Sequence, residues 1–133
     1  MTLIADINGS DIFTREKLDE IFPPDRADNF FEALYGEASE GAYDISLEFI
    51  GVKEDKILFE FHLKQRPGKC LACNLTYGLP TVFERHPIIN IKGIAKRIEN
   101  LLNEKFSCTG WQIGTTREKS RQLHVLPIAF SVK

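Results

Sequence analysis

A chain of 133 residues with 43% hydrophobic and 27% charged residues has the size and composition of one globular domain. It contains no apolar run of about 18 residues, and its beginning lacks the features of a secretory signal, so we expect neither a membrane span nor export. Three cysteines, an odd and low number, favour free thiols over a disulfide framework. We therefore predict a cytoplasmic protein.

Charge is distributed unevenly along the chain, although the net charge is only −2. Residues 1–50 carry twelve acidic and three basic side chains, whereas residues 51–133 carry seven acidic side chains and the other fourteen basic ones. Such asymmetry is typical of a protein with a basic face suited to anions or nucleic acid. The simpler interpretation is that the two halves attract each other within the fold.

Two helices are predicted in the first third of the chain, after a short apolar strand at residues 2–7. The first begins after Thr14, a suitable N-cap, and ends before the Pro-Pro pair at 23–24, because proline disfavours helical geometry in the preceding residue. The second has an apolar stripe at helical spacing, and Gly36 follows as a left-handed C-cap. The stripe consists of Ala27, Phe30, Phe31 and Leu34.

The hydrophobic period changes to two in the middle of the chain, which predicts strands. Residues 43–65 form a predicted hairpin, because apolar and polar side chains alternate on both sides of the turn KED. After the turn RPG, the alternation in residues 69–77 predicts the third strand of a meander. Phe59 and Phe61 are placed like a stacking platform for bases, but we interpret them as core, since helices must cover their face.

The clearest helix follows TVFERHPIIN, residues 81–90, which we interpret as an irregular connection. Six apolar residues at helical spacing between Ile91 and Leu102 define this helix, and Asn90 is a suitable N-cap. Gly93 in the first turn weakens it only modestly. We expect an amphipathic helix with its apolar side on the sheet.

The C-terminal region reads as a second hairpin, made of residues 106–114 and 122–132 joined by the polar loop TTREKSR. Pro127 lacks a backbone donor, which predicts that its strand lies at an edge or contains a bulge. The order of elements indicates a single α+β domain spanning residues 1–133. In it a mainly antiparallel sheet, a three-stranded meander plus the C-terminal hairpin, is packed by three helices.

The stretch RPGKCLACNLTYGLP contains Cys70 and Cys73 in a C-x-x-C spacing. In a strand, positions i and i+3 lie about 10 Å apart on opposite faces. Sulfurs that share a zinc ion must approach to roughly 3.8 Å, so an extended backbone prevents Cys70 and Cys73 from binding one metal. We interpret them as structural thiols, with a zinc site and a redox pair as the alternatives.

The region from residue 66 to residue 92 is the best candidate for a binding site. It is rich in proline and glycine, and it leads into a helix start, where free N–H groups favour anions. The predicted ligand-binding side chains are Arg66, Lys69, Arg85, His86 and Lys92. The alternative is that these cations form surface ion pairs with the acidic first half.

No catalytic motif of the G-x-S-x-G or H-E-x-x-H type is present, so we expect binding and not catalysis, without a cofactor. The predicted ligand is an anionic small molecule or a protein partner. The alternatives are a zinc-binding interaction module and a nucleic-acid-binding domain. The second would use the basic side chains Lys92, Lys96, Arg97, Arg117, Lys119 and Arg121. Exposed edge strands would also allow a homodimer in which the edge strands of two copies pair.

Overall fold

The computed structural model describes residues 7–37, 39, 41–69 and 79–133. The alternating apolar residues in the middle of the chain form two long strands, β1 (Tyr43–Lys53) and β2 (Lys56–Gln65). These strands pair antiparallel along their length around a tight turn. The predicted hairpin over residues 43–65 is therefore confirmed.

The C-terminal segment supplies the other strands of the five-stranded sheet formed by the described residues. They are β3 (Cys108–Ile113), β4 (Arg117–Ser120) and β5 (Leu123–Val132). β5 pairs with β2 on one side, and with β3 and then β4 on the other, all antiparallel. The order across the sheet is β1-β2-β5-β3, with β4 beside β5. The predicted C-terminal hairpin is confirmed, but part of its expected loop is a strand.

Pro127 lies in an interior strand, which contradicts the edge position predicted from its missing donor. The pairing of β5 with β2 has no register shift, so there is no bulge on that side either. The Pro127 carbonyl accepts a hydrogen bond from the Gly114 N–H at 2.8 Å, so its backbone faces away from β2. There β3 pairs with residues 128–132 and β4 with residues 123–125. The missing donor therefore falls in the gap between two short strands.

Five helical segments occur within the described residues. They are α1 (Gly9–Ile12), α2 (Arg15–Ile21), α3 (Arg26–Tyr35), α4 (Leu79–Arg85) and α5 (Ile91–Leu101). Thr14 caps α2, because its side chain accepts a hydrogen bond from the Lys17 N–H at 3.3 Å. Gly36 ends α3 with φ 86°, and its N–H donates to the Glu32 carbonyl at 2.8 Å. Both predicted caps are confirmed.

Helix α4 corrects the interpretation of residues 81–90 as an irregular connection. Its second residue, Pro80, suits a helical first turn, where a missing N–H costs nothing. Phe83 is its one buried side chain, and the Phe83 ring meets Phe61 at 5.3 Å between centroids. A helix held by a single buried side chain shows no apolar period, so the sequence pattern did not reveal it.

Aromatic rings fill the space between the helices and the covered face of the sheet. Phe59 and Phe61 are 1% and 0% exposed, which confirms their interpretation as core. Phe13 meets Phe59 at 5.1 Å between centroids, and Phe22 meets Phe61 at 5.4 Å, both in edge-to-face geometry. These contacts fix α2 and its flanking residues on the sheet.

The architecture is α+β, with helices packed on an antiparallel sheet, as predicted. The strands predicted at residues 2–7 and 69–77 lie outside the described residues, apart from Ile7 and Lys69. The neighbour of β2 on the side away from β1 is β5. In the part of the chain that is described, no helix is long and apolar enough to traverse a bilayer.

Candidate functional site

Arg66, directly after β2, is engaged inside the fold. Its Nε donates to Asp44 Oδ1 at 3.0 Å, and Nη2 donates to Asp28 Oδ1 at 2.7 Å. The guanidinium also lies over the Phe31 ring, 5.4 Å from the centroid, and the side chain is 15% exposed. Arg66 therefore joins the basic half of the chain to the acidic half, as the simpler interpretation of the charge asymmetry expected.

His86 is likewise engaged at the end of α4. Its Nδ1 accepts a hydrogen bond from the Ile88 N–H at 3.1 Å, and its ring packs edge-to-face on Phe30 at 4.9 Å. In the neutral ring the proton therefore sits on Nε2. Lys69 and Arg85 are exposed, one in a turn and the other in the last turn of α4. Among the predicted ligand-binding residues, Arg66 and His86 thus have partners within the fold, and their binding role stays a prediction.

Lys92 is the predicted ligand-binding residue that borders a groove. It lies in the first turn of α5, where Asn90, with φ 52°, accepts a hydrogen bond from the Gly93 N–H at 3.1 Å. The predicted N-cap is confirmed, and it occupies a donor that we had expected to bind an anion. Lys96 lies one helical turn beyond Lys92, and both side chains are exposed.

The groove, about 720 Å³ in volume, lies between α5 and β3. We call it the α5–β3 groove. The helix contributes Asn90, Lys92, Gly93, Ala95, Lys96 and Glu99, and the strand contributes Cys108 and Trp111. Trp111 is the one tryptophan of the sequence, and its side chain is partly exposed. A flat aromatic surface therefore lies beside two lysines of one helix.

Cys108 lines the α5–β3 groove and is hydrogen-bonded to the helix. Its thiol donates to the Ala95 carbonyl at 3.6 Å, and its backbone N–H donates to Glu99 Oε2 at 3.3 Å. Burial, and secondarily the Glu99 carboxylate, raise the pKa of the thiol to about 11. Cys108 is therefore protonated at neutral pH and unsuited to nucleophilic chemistry.

Trp111 was not singled out by the sequence reasoning. The available signal was a lone tryptophan in a short strand that follows an amphipathic helix with two lysines four residues apart. Alternation within β3 alone did not show that its ring faces α5, because the register of this strand depends on β5.

The basic side chains proposed to form a nucleic-acid stripe are divided among different elements. Arg97 donates from Nη1 to the Ile21 carbonyl at 2.8 Å, so it ties α5 to the end of α2. Arg117 and Lys119 are exposed on β4, and Arg121 is exposed in the following turn. β4 pairs with the first residues of β5, whereas β3 pairs with its last ones.

The metal-site prediction involves Cys70 and Cys73, which lie outside the described residues. Within the described ranges, no group of three His, Cys, Asp or Glu side chains is placed to hold a metal ion. His62 and Glu60 on β2 form a pair of such side chains, with 3.1 Å between Nε2 and Oε1. The zinc alternative stays a prediction, and elemental analysis of the protein purified without chelators tests it.

Comparisons of the chain with protein-family models, with curated proteins and with solved structures give no significant match. What the α5–β3 groove can bind therefore has to be argued from its own side chains.

Proposed function

We propose that the protein is a non-catalytic binding module that holds an anionic segment of a partner in the α5–β3 groove. The observation that carries this proposal is the pair Lys92 and Lys96, exposed on one side of α5 and bordering the groove together with Trp111. Neither lysine forms an ion pair with another described residue. Of the predicted ligand-binding residues, this site includes Lys92. Its lining residues lie between positions 90 and 111.

The chemistry of the groove suits anions attached to a flat or apolar group. Two ammonium groups attract carboxylates or phosphates as point charges, and the indole of Trp111 offers an apolar surface beside them. Ala95, which is 5% exposed, also lines the groove. A volume of about 720 Å³ lies within the range of ligand pockets.

Tryptophan fluorescence tests the proposal directly, because Trp111 is the one tryptophan of the chain and lines the groove. We expect titration with poly-L-glutamate to change the emission, and the double variant Lys92→Glu/Lys96→Glu to weaken binding by about tenfold or more. The matched control is Lys53→Glu/Lys119→Glu, which changes the net charge equally on exposed positions elsewhere. Equal loss in both double variants would show attraction to overall charge and not a site.

A single-stranded oligothymidylate separates this proposal from nucleic-acid binding. Bases stack on tryptophan and phosphates attract lysine, so the groove alone does not exclude that ligand. We expect poly-L-glutamate to bind more tightly at equal ionic strength. Tighter binding of the oligonucleotide, weakened by Arg117→Gln and Arg121→Gln, would replace the proposal with the nucleic-acid alternative.

A further inference from the structure

Among the described residues, no strand pairs with the outer side of β3. Gly114 donates to Pro127 across the β3–β5 ladder. Alternate residues of an antiparallel strand face the same neighbour, so Gln112 also faces β5. Trp111 and Ile113 then direct their N–H and C=O groups to the opposite side, where the path of the sheet ends. Trp111 also lines the α5–β3 groove, so this edge borders the groove.

The edge at the opposite end of the sheet, at β1, is protected against pairing. Arg15 reaches from α2 and donates from Nη2 to the Leu47 carbonyl at 2.9 Å, and from Nη1 to Glu48 Oε1 at 2.6 Å. A register shift between Phe49 and Gly51 further distorts this edge. Charged side chains and bulges are the usual means by which edges avoid pairing with other chains.

β3 lacks such protection over residues 110–113. The sequence GWQI contains neither charge nor proline, and the one register shift of the strand comes earlier, between Cys108 and Gly110. The charged side chains of the same groove are Lys92, Lys96 and Glu99 of α5, which together are net positive. The unguarded edge and the positive charge therefore lie together.

We infer that the occupant of the α5–β3 groove is an acidic, extended peptide segment that adds to β3 as a further strand. This inference rests on the proposed function and specifies its ligand. The main-chain groups of Trp111 and Ile113 would pair with the peptide, a recognised mode of peptide binding. Alternate peptide side chains would face α5, about 6.6 Å apart, close to the rise of about 6 Å between Lys92 and Lys96.

A second copy of the chain is a poorer occupant than an acidic peptide. Pairing of β3 with β3 around a two-fold axis would place α5 of both copies on the same face of the joined sheet. Lys92 and Lys96 of one copy would then approach those of the other, and like charges at an interface are unfavourable. An acidic strand instead neutralises the two lysines.

The experiment uses the whole protein and a capped seven-residue peptide in which Glu and Val alternate. We expect hydrogen exchange, followed by NMR, to slow at least about tenfold for the Trp111 and Ile113 amides when the peptide is bound. The Gln112 amide, already paired with β5, is the internal control and should not change. A peptide in which Lys and Val alternate should neither bind nor protect these amides.

The outcomes separate the inference from the proposed function. Binding that depends on Lys92 and Lys96 but leaves the Trp111 and Ile113 amides unchanged would overturn strand addition and keep the anion site. Failure of both the peptide and poly-L-glutamate to bind would overturn the proposed function itself. A doubling of mass by sedimentation without peptide, with both amides already protected, would assign the edge to a second copy and overturn the inference.

Discussion

Arg66 shows that the role of a basic residue depends on what the fold places around it. In the sequence it is one of several cations near a turn, but in the structure it binds Asp28 and Asp44 and covers Phe31. No local pattern links residue 66 to residues 28 and 44, because β1, β2 and α3 bring them together. The same holds for His86, whose partner Phe30 is distant in the chain.

Removing the charge of Arg66 should destabilise the protein and leave anion binding intact. For Arg66→Gln we expect a loss of about 1–2 kcal/mol in the free energy of unfolding, because a mostly buried guanidinium loses two charge-assisted hydrogen bonds. Urea denaturation measures this change. The control Lys69→Gln, at an exposed neighbouring position, should change stability by less than about 0.5 kcal/mol. A large loss of poly-L-glutamate affinity in Arg66→Gln would contradict the structural role.

The Cys108 thiol should react slowly at neutral pH. Its pKa is raised from 9.0 to about 11 in the folded protein, so the thiolate forms two pH units later than in the unfolded chain. Iodoacetamide labelling of Cys108, followed by peptide mass spectrometry, should rise with a midpoint near pH 11 when folded and near pH 9 in urea. Because the folded pKa is the higher one, this group's contribution to stability is complete below about pH 9 and is lost towards pH 11. Coincident labelling curves would disprove the shift.

At the scale of elements, predictions succeeded where a pattern extended over several residues. The hairpin β1–β2 and helix α5 each repeat an apolar side chain at a regular period, so local sequence determines both their type and their buried side. Helix α4 and strand β4 are short, and tertiary contacts decide their form. The edge position predicted for Pro127 was wrong, because the cost of a missing backbone donor depends on which neighbouring strand that backbone faces.

The cap of α5 allows a two-step test of Asn90. Asn90→Gly keeps the left-handed backbone accessible but removes the acceptor for the Gly93 N–H, so we expect a small loss of stability, a few tenths of a kcal/mol. Asn90→Ala also adds strain at φ 52°, and should cost about 1–2 kcal/mol. Thermal or urea unfolding ranks the variants. Asn100→Ala, an exposed helix position, is the control, and equal losses for the two Asn90 variants would refute the backbone argument.

At the scale of the molecule, the candidate site depends on the pairing of distant segments. Lys92 could be identified from the sequence because it sits at the start of a clear helix. Trp111 reaches the same groove only because β5 holds β3 at the edge of the sheet beside α5. The charge asymmetry of the sequence does not show which basic residues pair with acidic ones. In the structure Arg66 joins the basic half of the chain to the acidic half, whereas Lys92 and Lys96 of α5 are exposed.

Phe61 connects the two layers of the molecule, since its ring contacts both Phe22 and Phe83 and is fully buried. Phe61→Leu should lower the free energy of unfolding by about 1–2 kcal/mol, because the smaller side chain leaves part of the aromatic core unfilled. Guanidinium denaturation followed by circular dichroism measures the loss. Leu34→Ala, at a position 44% exposed, should change stability by less than about 0.5 kcal/mol. Similar losses at both positions would contradict a core centred on Phe61.

The interior place of β5 affects how a nascent chain reaches this structure. β2 ends at Gln65, but its second neighbour begins only at Leu123, so a ribosome must translate the intervening segment before the sheet can close. Until then the hairpin β1–β2 presents an unpaired edge with Phe59 and Phe61 beside it, a surface that chaperones recognise and that aggregates readily. Such long-range pairing raises the contact order, and folding should be slow for a chain of this length.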